Sequence, residues 1–131
     1  MSEPQVFISY SRDDADWVRR FAEALRQQNV TVWWDEEQVS PGESLPDAIE
    51  AGLRSSDAIV SVLTPANARR PDVLFELGFA LGTGKRLIPI ISPDLDRSAI
   101  PFELRTRQHL ARGSPDEAAR KVAEAVKGKA A

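Results

Sequence analysis

Ala58-Ile59-Val60-Ser61-Val62-Leu63 is the stretch whose reading decides the fold. A strand with one wet face alternates apolar and polar residues. This run is apolar almost throughout, the pattern of a strand covered on both faces, as in a parallel sheet. Thr64-Pro65 ends it. Downstream, residues 72 to 82 are predicted to form a helix, Gly84 breaks the chain, and Leu87-Ile88-Pro89-Ile90-Ile91 reads as a further strand. Pro89 cannot donate to a ladder, which predicts a strand edge or a bulge. Residues 92 to 107, with Pro93 and Pro101, read as loop and one helical turn. A short strand is expected near Gln108-His109-Leu110-Ala111, and Ser114, Pro115 and Glu117 form a capping box that opens a last helix running through Val126.

Upstream, Val6-Phe7-Ile8 reads as a buried strand feeding Ser9-Tyr10-Ser11. Trp17, Val18, Phe21, Ala22 and Leu25 then recur at helical spacing, with Ser11 or Asp13 as the cap. Val30-Thr31-Val32-Trp33-Trp34 is β-branched and aromatic, hence a second strand, and it runs into an acidic loop from Asp35 to Glu43 that contains Pro41-Gly42. Ser44 with Asp47 marks a helix start, and Leu45, Ile49 and Leu53 share a face of that helix. The resulting order, β-α-β-α-β-α-β-(α)-β-α, predicts a flavodoxin-like three-layer α/β sandwich: a central five-stranded parallel sheet with helices on both faces. Ligands of such sheets bind at the carboxyl ends of the strands, where the loops after Ile8, Trp34 and Leu63 emerge.

The 131 residues suit one domain, taken as 4 to 127 with a tail at 128 to 131. A content of 42% hydrophobic and 28% charged residues is that of a globular chain. The net charge of -3, without a basic stretch, argues against nucleic acid as a partner. No apolar run approaches the ~20 residues that span a bilayer, so no membrane association is expected. The first residues lack the pattern of a secretory signal, and there is no cysteine, which together fit a cytoplasmic protein. One histidine, His109, leaves no basis for a multi-histidine metal site, and no metal or cofactor is expected.

The helix at 72 to 82 holds the candidate chemistry. With about 100° between successive residues, Val73, Leu74, Leu77, Ala80 and Leu81 are assigned to its apolar face, and Glu76 falls at the margin of that face, one turn from Asp72. Gly78 and Gly82 each cost about 1 kcal/mol relative to alanine in a helix, so close packing against them is expected. Glu76 reads either as a poised carboxylate or as a boundary residue with a salt-bridge partner. Gly82-Thr83-Gly84-Lys85 is a helix terminator, with Lys85 at the negative end of the dipole, because a phosphate loop leads from strand to helix and this segment does the reverse.

Three separated segments resemble the Toll/interleukin-receptor (TIR) family. Phe7-Ile8-Ser9-Tyr10-Ser11 with Asp14 and Trp17 resembles its first signature; Val32-Trp33-Trp34-Asp35 with Pro41-Gly42-Glu43-Ser44-Leu45 resembles its second; and Asp72-Val73-Leu74-Phe75-Glu76-Leu77-Gly78 resembles its third helix, in bacterial form. Many members carry tryptophan and cysteine where this chain has Asp72 and Val73. The resemblance implies that Glu76 is catalytic and that NAD+ is a substrate rather than a cofactor, cleaved by a glycohydrolase or ADP-ribosyl cyclase reaction in defence or signalling. Ser9, Ser11, Arg12, Trp34, Asp35, Gly42 and Asp72 are the expected substrate contacts, with Trp34 read either as a stacking surface or as a structural aromatic at a strand end. Self-association with other TIR domains is also implied. The alternatives are a non-catalytic TIR interaction module and another N-glycosidic enzyme acting on nucleosides or nucleotides.

Overall fold

A computed structural model describes residues 3–34, 45–68, 70–100, 104 and 108–127. The chain forms β1 (Gln5–Ser9), a 3-10 turn (Arg12–Asp14), α1 (Ala15–Gln27), β2 (Thr31–Trp33), α2 (Leu45–Ser55), β3 (Ala58–Leu63), α3 (Pro71–Thr83), β4 (Arg86–Ile91), a second 3-10 turn (Arg97–Ala99), β5 (Leu110–Ala111) and α4 (Pro115–Val126). All strand pairs are parallel, in the order β2-β1-β3-β4-β5. This is the flavodoxin-like sandwich expected from the alternation of elements. β3 lies between β1 and β4, and every one of its residues is buried, as its unbroken apolar run requires.

The period of two along each strand divides the core into two layers. Val6, Ile8, Val60 and Val62 face α1 and α4, where they meet Val18, Phe21, Leu25 and Val122. Phe7, Ile59 and Leu63 face α2 and α3, where they meet Leu53, Val73, Ala80 and Leu104. Removing such a side chain from water contributes about 1.5–3 kcal/mol, so the two layers, one on each side of β3, are what hold the sheet between its helices.

Local expectations meet tertiary structure at several points. Ser11 caps the first 3-10 turn, its Oγ accepting from Asp13 N–H at 3.3 Å. Ser114 Oγ accepts from Glu117 N–H at 3.1 Å, with Pro115 in the first turn of α4, as its sequence signature predicts. Gly84 ends α3 in the left-handed region at φ 72°. Lys85 serves two helix ends: its backbone N–H donates to Ala80 O at 3.1 Å at the close of α3. Its Nζ donates to the carbonyls of Arg54 (3.1 Å) and Ser56 (2.7 Å) and so closes the carboxyl end of α2. Pro89 does not mark an edge, because β4 has a strand on each side. The register of β5 begins at Ile90, so Pro89 stands opposite Ser61 of β3 just beyond the reach of that short strand.

Candidate active site

The chain leaves β1 for α1 on one face of the sheet and leaves β3 for α3 on the other. β1 and β3 are neighbours, so their following loops diverge and open a crevice at the carboxyl ends of the strands, the switch point where ligands of such sheets bind. α3 packs on β3 and β4. Its inner stripe is Val73, Glu76 and Ala80, spaced i, i+3, i+7, all three buried.

Glu76 is 7% exposed, whereas Leu74 is 47% exposed and Leu81 37%. The helix is therefore rotated from the expected orientation: Glu76 lies inside the buried stripe, and two leucines assigned to the apolar face look outward. The side chain of Leu77 lies outside the described set. Apolar residues flank Glu76 on both sides, so periodicity alone does not choose the stripe. Ser9 and Ser61 interrupt the apolar rows of β1 and β3 on the face that α3 covers. Ser9 and Ser61 are in register with each other, and both are buried. Ser61 Oγ has no hydrogen-bond partner among the described residues. Glu76 is buried on the helix that covers this same face of the sheet. The expected packing against Gly78 and Gly82 is absent among the described residues, since a Cβ built on either would meet nothing within 4 Å.

The other expected contacts are distributed unevenly. Ser9 and Ser11 are buried at the end of β1 and in its loop, and Arg12 is exposed beside them. Trp34 offers no stacking surface: it is 1% exposed and lies in the layer of α1 and α4, with Tyr10 tilted against it at 5.8 Å. The alternation of the strand is the reason, since it turns Trp33 toward α2 and Trp34 away. Asp35, Gly42, the loop they belong to, Ser44 and the tail at 128 to 131 lie outside the described residues. Asp72 is in the first turn of α3, and its side chain lies outside the described set.

Four polar residues outside the expected substrate contacts organise the crevice. Asn67 is buried in the β3–α3 loop, with Oδ1 accepting from Thr64 N–H and Nδ2 donating to Val62 O, both at 2.9 Å. Asparagine in a turn after a strand is a local signal for such a brace. Asp14 accepts from Thr64 Oγ1 at 3.2 Å and from Arg112 Nη1 at 2.7 Å, contacts between distant segments that leave no local signature. A cavity of about 240 Å³ opens here, lined in part by Asp14, Thr64, Ser92 and Arg112. A larger cleft of about 830 Å³ lies at the opposite end of β4, beside Gly84, Arg86, His109 and Lys121. Among the described lining residues neither cavity includes Glu76; the larger one has its Arg86 guanidinium committed to Ala125 O, whereas the smaller one lies at the carboxyl ends of the strands, where ligands of such sheets bind. Among the described residues no group of acidic and histidine side chains is suited to hold a metal ion.

A family model described as the TIR domain matches residues 6–125. The 2' cyclic ADP-D-ribose synthase AbTIR of Acinetobacter baumannii is 39% identical over 79 residues, covering 58% of this chain and 29% of that protein. The NAD(+) hydrolase PdTIR of Paracoccus denitrificans is 40% identical over 60 residues, covering 45% of this chain and 20% of that protein. The matched segments thus span less than a third of either relative. The crystal structure of the TIR domain of the Toll-related receptor TRR-2 from Hydra magnipapillata shares the fold, with a TM-score of 0.71 at 20% identity and 89% of each chain covered. With the family model matched from β1 into α4, this chain belongs to the TIR domain family.

Proposed function

We propose that this TIR domain cleaves the bond between nicotinamide and ribose in NAD+, with Glu76 as the catalytic carboxylate. The observation that carries the reading is the burial of Glu76 in the inner stripe of α3, on the side of the sheet where Ser9 and Ser61 are also buried. Relatives named as an NAD(+) hydrolase and a 2' cyclic ADP-D-ribose synthase support the choice of substrate.

One carboxylate suffices for this chemistry. The nicotinamide nitrogen is already cationic, so the electron pair of the breaking C–N bond neutralises it and no acid is needed to protonate the leaving group. The ribose becomes oxocarbenium-like, and a carboxylate held nearby stabilises that charge, whereas ordinary glycosidases need a second carboxyl group as acid. Attack by water releases ADP-ribose and a proton. Attack by a nucleophile of the same molecule gives a cyclic product. In this reading Ser9, Ser11 and Arg12 meet ribose and phosphate oxygens, and Asp35, Gly42 and Asp72 complete the pocket.

We further propose that the domain works in the cytoplasm, in defence or signalling, and that self-association of TIR domains raises its activity. The outward Leu74 and Leu81 of α3 support a protein contact on that helix. The test is nicotinamide release from NAD+ by the purified chain, dilute and concentrated. Release that rises faster than protein concentration is expected. No release at either concentration overturns the enzymatic reading in favour of an interaction module, and cleavage of deoxynucleosides without NAD+ cleavage points to another N-glycosidic enzyme.

A further inference from the structure

We infer that Asp14 is a positioning residue that, through Thr64 and Arg112, sets the spacing between the loop after β1 and the loop leading into α3. The inference rests on the NAD+-cleaving reading above, because these loops carry Ser11 and Arg12 on one side and lead to Glu76 on the other.

Asp14 occupies the cap position of α1, where an aspartate ordinarily accepts from backbone N–H groups of the first turn. It makes no such bond. Its Oδ1 accepts from Arg112 Nη1 at 2.7 Å and its Oδ2 from Thr64 Oγ1 at 3.2 Å, partners 98 and 50 residues away. The side chains of Asp14 and Arg112 are only 13% and 25% exposed, so water screens this pair less than it screens the helix-surface pairs.

Each partner is itself held. Arg112 N–H donates to Ile91 O at 2.9 Å, and its guanidinium lies over the Trp17 ring at 5.5 Å. The Thr64 N–H is held by Asn67. Asp14 N–H donates to Ser11 O at 2.8 Å. One carboxylate therefore ties the ends of β1, β3 and β5 across the crevice, and a helix cap has been given up for that long-range contact. A shift of the loop after β1 relative to α3 carries Ser11 and Arg12 away from the ribose and phosphate oxygens they hold in this reading, which weakens binding of substrate and transition state alike.

Thr64→Val keeps the shape and removes the hydroxyl; Thr64→Ser keeps the hydroxyl. The KM for NAD+ is expected to rise about tenfold in Thr64→Val, with kcat changed much less, and to return toward wild type in Thr64→Ser. Asp14→Asn is expected to behave like Thr64→Val. An unchanged KM in folded Thr64→Val and Asp14→Asn overturns the inference, as does a loss confined to kcat and to the fraction folded. Amide hydrogen exchange supplies a readout independent of activity. Thr64→Val should speed exchange in residues 10–14 and in residues 64–68 together, and no change in either loop overturns the inference even if the wild-type chain releases no nicotinamide. In that last case the NAD+ reading fails separately.

Discussion

Trp33 and Trp34 adjoin in sequence and face opposite layers of the molecule. Trp33 is stacked on Phe7, with ring centroids 4.8 Å apart and planes within 8°, and its other side lies against α2 at Gly52. A Cβ built on Gly52 would stand 2.5 Å from two atoms of the indole. Alanine there gains about 1 kcal/mol in helix propensity, but overpacking costs about 1–3 kcal/mol, so Gly52→Ala should destabilise the fold. Gly78 has open space at the same point, so Gly78→Ala should stabilise by about 0.5–1 kcal/mol. Urea denaturation of the two variants should therefore show opposite signs, and equal shifts would contradict the packing described. Residue identity made Glu76 legible as a candidate, while its burial was not. Leucines on either side fit a helical stripe equally well, and only the packed structure shows which stripe is buried.

Among the elements, those governed by local signals were the most legible. Ser114-Pro115 marks the start of α4 in the sequence, and the cap bond to Glu117 N–H is present. Ser114→Ala should cost about 1 kcal/mol in unfolding free energy, measured in denaturant. Along the same helix the Glu117 carboxyl is held below its ordinary pKa, first by the hydrogen bond from Arg120, then by the charge of Arg120, with Lys121 adding less. A carboxyl lowered in the folded state stabilises above its unfolded pKa, and that contribution disappears as pH falls through the folded value. Glu117 is fully exposed, so the effect is small and screened by salt. Glu117→Gln should therefore lower the Tm slightly at neutral pH and low salt, with the difference from wild type closing in acid. Elements that depend on distant partners were harder to read. The Lys85 ammonium reaches across to α2, Pro89 is tolerated beside a strand only two residues long, and Asp14 leaves its own helix for Arg112. None of these partners lies within a few residues in sequence.

For the molecule as a whole, the alternation of strands and helices is enough to predict a parallel sheet with two helical layers, because only that arrangement buries runs as apolar as residues 58–63. The strand order β2-β1-β3-β4-β5 then places a crevice between the loops after β1 and β3, and α3, which carries the buried Glu76, follows the second of these loops. The substrate contacts were less legible, since the pleat decides which tryptophan is available and the contact of Asp14 with Arg112 forms only in the folded chain. The most direct test is the rate of nicotinamide release from NAD+ by wild-type and Glu76→Gln proteins at equal, high concentration, with circular dichroism confirming that both are folded. The account predicts a loss of at least about a hundredfold in kcat/KM for Glu76→Gln. Release by a folded Glu76→Gln protein at the wild-type rate would contradict it.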